Sequence, residues 1–300
     1  MPVRLGVLTR SPTSAATRRF RAAGRERGLL VEAVDYAHLE LQCTVDGRVS
    51  IARADGSSPL RFDGVIGRIS PVYTPLGASV LRAFRQTGSR VTPAPEALQL
   101  ARDKFQATLA LAAADLPVPA TTLLSRHPHL ERAVRHVGGY PFVVKPLSGT
   151  QGQGVELVRD ATAARELLAR LAAAHQGAMA QAFIGEAAGS DVRVVVCGGR
   201  VVAAIVREAQ PGEFRSNLHL GGSARPVVLS EREASLAVRA ARALGLGIAG
   251  VDLLRTARGP LVLEVNASPG LAGVEGATGI DVAGAMIDHV LADPAILSTS

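Results

Sequence analysis

The sequence predicts an α/β protein: a small Rossmann-like α/β domain followed by two α+β lobes. Three observations lead there. Short apolar runs alternate with helical stretches over the first 95 residues. A Gly-rich loop, residues 148–154, directly follows an apolar strand ending on Lys145. A hairpin further on sets Asp252, Glu264 and Asn266 into otherwise apolar strands.

In chain order, residues 3–9, 30–35 and 62–67 read as strands, with helices near 13–27 and 75–87. Asp46-Gly47 marks a hairpin inserted among them, since this pair accepts the positive φ of a tight turn. The proline pair at 93 and 95 ends a first domain, 1–95. Helices near 95–101 and 103–115 follow, then strand 121–124, helix 128–137 and strand 141–145. After the glycine loop come strand 155–158, helix 160–175 and strand 178–184, which completes a lobe over 96–184. The remainder, 185–300, is hairpin-rich. Strand 191–197 pairs with 200–208 about Gly198-Gly199, a helix spans 230–244, the acidic hairpin turns at 256–259, and a helix spans 281–292. No internal repeat is visible.

Composition narrows the function classes. A chain of 300 residues, 47% hydrophobic and 20% charged, folds into lobes with a sizeable core and is not a disordered protein. Cys43 and Cys197 are too few for a disulfide framework, so a reducing cytoplasm is expected. Arg4 and Arg10 break the first ten residues, which read as a strand and not as a signal peptide. No apolar run is long enough to span a membrane. The net charge of +7 raises nucleic acid as a partner. Against it, aromatics are only 3%, too few to interleave with the dispersed cations for base stacking. The densest basic cluster, Arg18, Arg19, Arg21, Arg25 and Arg27, reads as a solvated helix face. Neither direct nucleic-acid binding nor a membrane is expected; a basic balance steers small acidic substrates or an acidic protein tail.

The hairpin is the most informative feature. Side chains two apart on a strand share a face, so Glu264 and Asn266 point the same way. Folding about the turn brings Asp252 opposite Glu264 or one register step away, at roughly 5 Å between Cβ atoms. Carboxylates that close repel, and one takes up a proton unless a cation lies between them. Two acids and an amide oxygen form a hard ligand set suited to magnesium or manganese.

The lysines are the second feature. Of 33 lysines and arginines, Lys104 and Lys145 are the only lysines. Lys145 stands between its strand and the glycine loop, whose successive amides can form a concave anion site. Strand, lysine and loop read as a phosphate cradle, distinct from the P-loop and from GxGxxG. A glycine loop on one lobe and carboxylates on the other suggest a nucleotide clamped between them.

The order Arg102-Asp103-Lys104, Val144-Lys145, glycine loop, Asp191-Val192-Arg193, Arg215-Ser216-Asn217, Glu264-Val265-Asn266 resembles the ATP-grasp superfamily. Segments 214–222, 259–271 and 278–284 resemble its RimK-type ligases, and the likeness spans nearly the whole chain. The best-known members add L-glutamate to the C-terminus of the sixth protein of the small ribosomal subunit and can make glutamate oligomers. The resemblance implies an ATP-grasp fold in which two α+β lobes clamp ATP. It implies an ADP-forming carboxylate–amine ligase that works through an acyl phosphate, and a homo-oligomer. It also implies roles. Asp252, Glu264 and Asn266 would hold two magnesium or manganese ions, and Lys104 and Lys145 the ATP phosphates. Arg207 would meet the transferring phosphoryl group, and Arg215, Ser216 and Asn217 the nucleotide. Asp191 would take the ribose, and the hinge residues Ala182 and Phe183 would offer backbone groups to the adenine.

Two positions depart from the family pattern: Ala182 where the hinge usually carries Glu, and Leu220 where its glycine-flanked segment has Arg. Several alternatives stand beside this reading. Glutamate or another amino acid could be joined to a small metabolite or a carrier-protein tail. The chain could instead bind nucleic acid with a vestigial nucleotide site. Arg207 could be a surface residue paired with Glu208 or Glu213. His219, a loop histidine, is left out of the catalytic set.

Overall fold

The computed structural model describes residues 2–55, 59–124, 129–149, 152–216 and 221–292. Its first part runs β1 (Arg4–Leu8), α1 (Ala15–Glu26), β2 (Leu30–Val34), β3 (Leu39–Cys43), β4 (Val49–Arg53), β5 (Gly64–Gly67), α2 (Thr74–Gln86) and β6 (Arg90–Thr92). The main sheet is parallel in the order β2-β1-β5-β6, and β3 with β4 forms the hairpin expected at Asp46-Gly47. Strand β6 was not anticipated; three residues carry no readable periodicity, and only pairing with β5 makes them a strand. The strand order reverses between β1 and β5, so the crevice beyond their carboxyl ends is a topological switch point.

The second part runs α3 (Pro95–Arg102), α4 (Lys104–Ala113), β7 (Thr121–Leu124), α5 (Leu130–His136), β8 (Phe142–Pro146), β9 (Glu156–Val158), α6 (Ala161–Ala173) and β10 (Ala178–Ala182). The sheet is antiparallel, β7-β10-β8-β9. Alternation divides its faces. Phe142, Val144, Ala178 and Ala180 pack with Ala133 of α5 and with Ala164 and Leu167 of α6 into a core of their own. Val143, Lys145 and Gln181 are left for the opposite face.

The third part runs β11 (Ser190–Cys197), β12 (Arg200–Glu208), β13 (Ser223–Pro226), α7 (Glu231–Ala243), β14 (Ile248–Leu254), β15 (Leu261–Asn266), α8 (Ala272–Thr278) and α9 (Val282–Leu291). Its antiparallel sheet has the order β13-β12-β11-β14-β15. Gly198 and Gly199, both at positive φ, make the turn between β11 and β12. Strand β13 and helix α8 are additions to the sequence reading. Helix α8 ends on Gly279 in the left-handed conformation, a common helix stop.

One face of this sheet has an apolar centre: Val192, Val194, Val251, Leu253, Val262 and Val265 pack on Leu236, Ala237 and Ala240 of α7. The other face is split. Toward Ile248 it is covered by Leu271, Val274, Met286 and Ile287 of the α8–α9 region together with Leu5 and Val7 of β1. Toward Leu254 it carries charge. The basic face of α1 is only partly solvated: Arg19 pairs with Glu275 and Asp281, and Arg27 with Asp281 and Asp288. These pairs tie the first part to α8 and α9. No described helix is long and apolar enough to cross a membrane.

Candidate active site

A cavity of about 460 Å³ lies between the second and third sheets. Its walls include Lys145 of β8, the hinge residues Gln181–Ile184, Asp191 and Arg193 of β11, Arg207 of β12, Asp252 of β14, and Glu264 and Asn266 of β15. Gly149, Gly152 and Gln153 of the glycine loop close one side.

Strand register brings the charged side chains together. Asp191 faces Arg207 across β11–β12, Arg193 faces Asp252 across β11–β14, and Asp252 faces Glu264 across β14–β15. A bulge between Asp252 and Leu253 places one extra residue, Leu263, on β15. It lets Val262 and Val265 both turn to the core while Glu264 stays on the cavity side.

Arg207 closes a fork on Asp191, Nε to Oδ1 at 2.7 Å and Nη2 to Oδ2 at 2.6 Å. The hydroxyl of Ser216 donates to the same Asp191 Oδ2 at 2.5 Å. Nη2 of Arg207 also lies 2.9 Å from Asp252 Oδ2. Arg193 makes a second fork on Asp252, through Nε to Oδ1 and through Nη2 to Oδ2 at 2.7 Å. Burial alone would raise the Asp252 carboxyl; Arg193 and Arg207 outweigh it and hold the group below its ordinary value. Asp191 shares only one guanidinium, and burial together with the Asp252 charge pushes its carboxyl up. Arg207 is raised despite its own burial, because two carboxylates flank it. Arg207 is therefore no surface residue. Glu208 pairs with Arg225 and Glu213 with Arg215, so neither acid is its partner.

The sequence left open whether a proton or a cation separates Asp252 from Glu264. The structure supplies two guanidinium partners to Asp252 and, among the described residues, no ion pair to Glu264. Glu264 accepts no hydrogen bond among the described residues, and the amide nitrogen of Asn266 reaches only Gly250 O at 3.5 Å. Among the described residues no histidine or cysteine lines the cavity, so the donors on offer are oxygens of the kind magnesium or manganese takes. Among the described residues no three His, Cys, Asp or Glu side chains gather as a metal cluster; the set here is two carboxylates and an amide. Free oxygens on Glu264 and Asn266 fit a hard cation, whereas Asp252 joins only if a guanidinium releases an oxygen.

Both lysines reach the cavity. Asp103 caps α4 by accepting from the amides of Phe105 and Gln106, which sets Lys104 on the first turn. Lys104 Nζ donates to Gly149 O at 3.0 Å. Lys145 Nζ donates to Gln181 Oε1 at 2.7 Å. Burial pushes the Lys145 amine down to about 8, with nearby Glu264 opposing and Lys104 reinforcing the shift. Arg215 forks on Glu213, holding that carboxyl down to about 2, and donates to Gly152 O at 3.2 Å. The glycine loop is thus held from both sides through its carbonyls. Ala182 and Phe183 line the cavity, and Phe183 meets Phe214 edge-on at 6.2 Å between centroids. Asn217 and Leu220 lie outside the described residues.

Sequence reasoning missed Arg193 and Gln181. The signal was present for Arg193: two residues from Asp191 on one strand, it must share that face.

Comparisons with known proteins agree with this geometry. Residues 3–98 match the RimK PreATP-grasp domain and residues 101–290 the RimK-like ATP-grasp domain. A probable alpha-L-glutamate ligase of Teredinibacter turnerae is 40% identical over 288 residues, covering 96% of this chain and 95% of that protein. Probable alpha-L-glutamate ligase 1 of Shewanella amazonensis is 43% identical, with the same coverage. The solved ATP-grasp ligase PsnB, complexed with minimal precursor, shares the fold with a TM-score of 0.76 at 23% identity, over 97% of this chain and 99% of that one. Two lobes about a charged cavity, preceded by a small parallel α/β unit, are the ATP-grasp architecture, and this chain, an ATP-dependent ligase, belongs to the RimK-like ATP-grasp family.

Proposed function

We propose that the enzyme joins L-glutamate to a carboxyl terminus of a protein or peptide, a small-subunit ribosomal protein or a growing glutamate oligomer, using ATP. The observation that carries this reading is Glu264, a carboxylate with no hydrogen-bond donor among the described residues, facing Asp252 in a cavity that also holds Lys104 and Lys145. Names of relatives 40–43% identical over nearly the whole chain support glutamate as the amino acid.

In this reading the acceptor carboxylate attacks the γ-phosphate of ATP to give an acyl phosphate and ADP. The glutamate amine then attacks the acyl carbon, and phosphate leaves with formation of the amide. The first step brings two anions together, so the protein acts mainly by neutralising and aligning charge. Lys104 and Lys145 hold phosphates, and Arg207 meets the transferring phosphoryl group. Arg215 and Ser216, with Asn217, hold the nucleotide; Asp191 takes the ribose, and the backbone at Ala182 and Phe183 the adenine. Asp252, Glu264 and Asn266 would hold two magnesium or manganese ions, which supply Lewis-acid stabilisation of phosphate charge when bound. No nucleophilic serine or cysteine is needed, because both attacking groups come from substrates. We read 1–95, 96–184 and 185–300 as the three domains of a cytoplasmic homo-oligomer.

Intact-mass analysis tests the reading. With ATP, magnesium and L-glutamate, a ribosomal or peptide acceptor should gain one or more glutamate residues. Glutamate found instead on a small metabolite or a carrier-protein tail would redirect the acceptor assignment. ADP release without any amide product would overturn the ligation itself.

A further inference from the structure

Two arginines, Arg102 on the cavity wall and Arg68 beside it, have no carboxylate partner among the described residues. Arg193, Arg207 and Arg215 each pair with a carboxylate. Among the described residues Arg68 donates only to the carbonyl of Pro269, at 2.5 Å. Arg102 donates, among the described residues, only to the carbonyl of Ile69. Its Nε is the only buried side-chain polar atom among the described residues without a hydrogen-bond partner.

These two guanidiniums occupy one place. Arg68 directly follows β5, at the carboxyl end of the strand that flanks the switch-point crevice. Ser268 donates to Gly67 O at 3.2 Å, and with the Arg68–Pro269 bond it fastens that strand end to the segment leaving Asn266. Arg102 ends α3 on the cavity wall and bonds the residue next to Arg68. Burial, with the neighbouring Arg102 charge, pushes Arg68 down to about 10, so it stays cationic at neutral pH. Arg102 is lowered by burial while Glu264 acts to raise it, and both side chains line the same cavity, which places Arg102 within reach of the acidic hairpin.

Both side chains are half-buried. Holding such a guanidinium without a counterion is costly, most of all where a buried N–H such as Arg102 Nε has no acceptor, and two neighbours of like charge compound the cost. Such a pair suits a site where an anion arrives with the substrate. The planar fork of arginine matches a carboxylate better than a single point charge does. The lysines associated with phosphate reach the cavity from α4 and β8, whereas Arg102 comes from the end of α3 and Arg68 from the end of β5 in the first sheet. An acidic amino acid carries two carboxylates, one for each guanidinium.

We propose that Arg68 and Arg102 form the carboxylate subsite that binds the incoming acidic amino acid and presents its amine toward the acidic hairpin. This rests on the ligase reading above and names the residues that select the amino acid. Titration calorimetry with L-glutamate, in the presence of magnesium and a non-hydrolysable ATP analogue, tests it. Arg68→Gln and Arg102→Gln should each weaken L-glutamate binding by about tenfold or more. Both should keep the affinity for the ATP analogue and a single cooperative unfolding transition. Arg68→Lys, which keeps the charge and loses the fork, should fall between. L-glutamine should bind the wild-type enzyme more weakly than L-glutamate. Wild-type protein that binds the nucleotide but not L-glutamate would overturn the subsite. So would variants that bind L-glutamate like wild type, or that lose nucleotide affinity in step. Failure of the wild type to bind the nucleotide would remove the ligase reading and this subsite with it.

Discussion

Arg207 and Asp252 sit on strands that do not neighbour each other, yet Nη2 of one lies 2.9 Å from Oδ2 of the other. The contact spans β11, and the same guanidinium forks on Asp191 of that intervening strand. With Arg193 added, two carboxylates and two guanidiniums form a charge-balanced row on the cavity side of the sheet. A divalent cation at Asp252, as proposed, would have to compete with this row for the carboxylate oxygens.

Removing Arg207 should therefore harm both fold and chemistry. Arg207→Met leaves two buried carboxylates short of charge and should lower stability by about 3–5 kcal/mol. Turnover should fall by about 10²–10³-fold if it meets the transferring phosphoryl group. Arg207→Lys should recover part of the stability and little of the turnover, since lysine cannot fork on Asp191. Urea unfolding beside steady-state ADP release would separate the two effects.

Glu264 and Asp252 should respond differently to loss of charge. Glu264 has no hydrogen bond to lose among the described residues, so Glu264→Gln should change stability by no more than about 0.5 kcal/mol while abolishing turnover. Asp252→Asn strips two arginines of their partner and should be clearly destabilising. Thermal melts of both variants, with ADP release, check the contrast; normal turnover in Glu264→Gln would refute the role given to that carboxylate.

ATP affinity should depend on pH through Lys145. The protonated amine attracts phosphate, and in the free enzyme its value lies near 8. Glu264, Asp252 and Asp191 favour the charged form, and burial and Lys104 disfavour it. Affinity should thus weaken as pH rises from about 7 to about 9. Lys145→Arg should flatten the profile, because arginine stays charged throughout. Calorimetric titration with a non-hydrolysable analogue measures both.

The glycine loop should behave as a tethered lid. Lys104 holds Gly149 O and Arg215 holds Gly152 O, and both cations are in reach of the cavity where phosphates are proposed to sit. ATP should slow proteolysis at 148–154, and Lys104→Ala or Arg215→Ala should speed it in the absence of nucleotide. Cleavage at the same rate with and without ATP would count against a lid.

Much of the architecture was legible in the chain. The strand period of two, a turn at Thr256–Gly259 and apolar neighbours were enough to bring Asp252 opposite Glu264, as the register has it. Strong periodic helices such as α1, α2 and α7 stood within a few residues of their expected ends. Strands β6 and β13 were not legible, being three and four residues long and defined by their partners.

The sequence by itself determined which residues could do chemistry and on which face of a strand each one lies, because alternation and turn chemistry are local. Only the tertiary structure decided what each one touches. Arg207 could have met Glu208 or Glu213, its near neighbours in the chain; the β11–β12 register gave it Asp191 instead, and the sheet order gave it Asp252. Arg68 and Arg102 are 34 residues apart by number and belong to different elements, and the docking of β5 against α3 and the 268–270 turn makes them neighbours. Partnership between charges depends on long-range packing, and no local pattern encodes it.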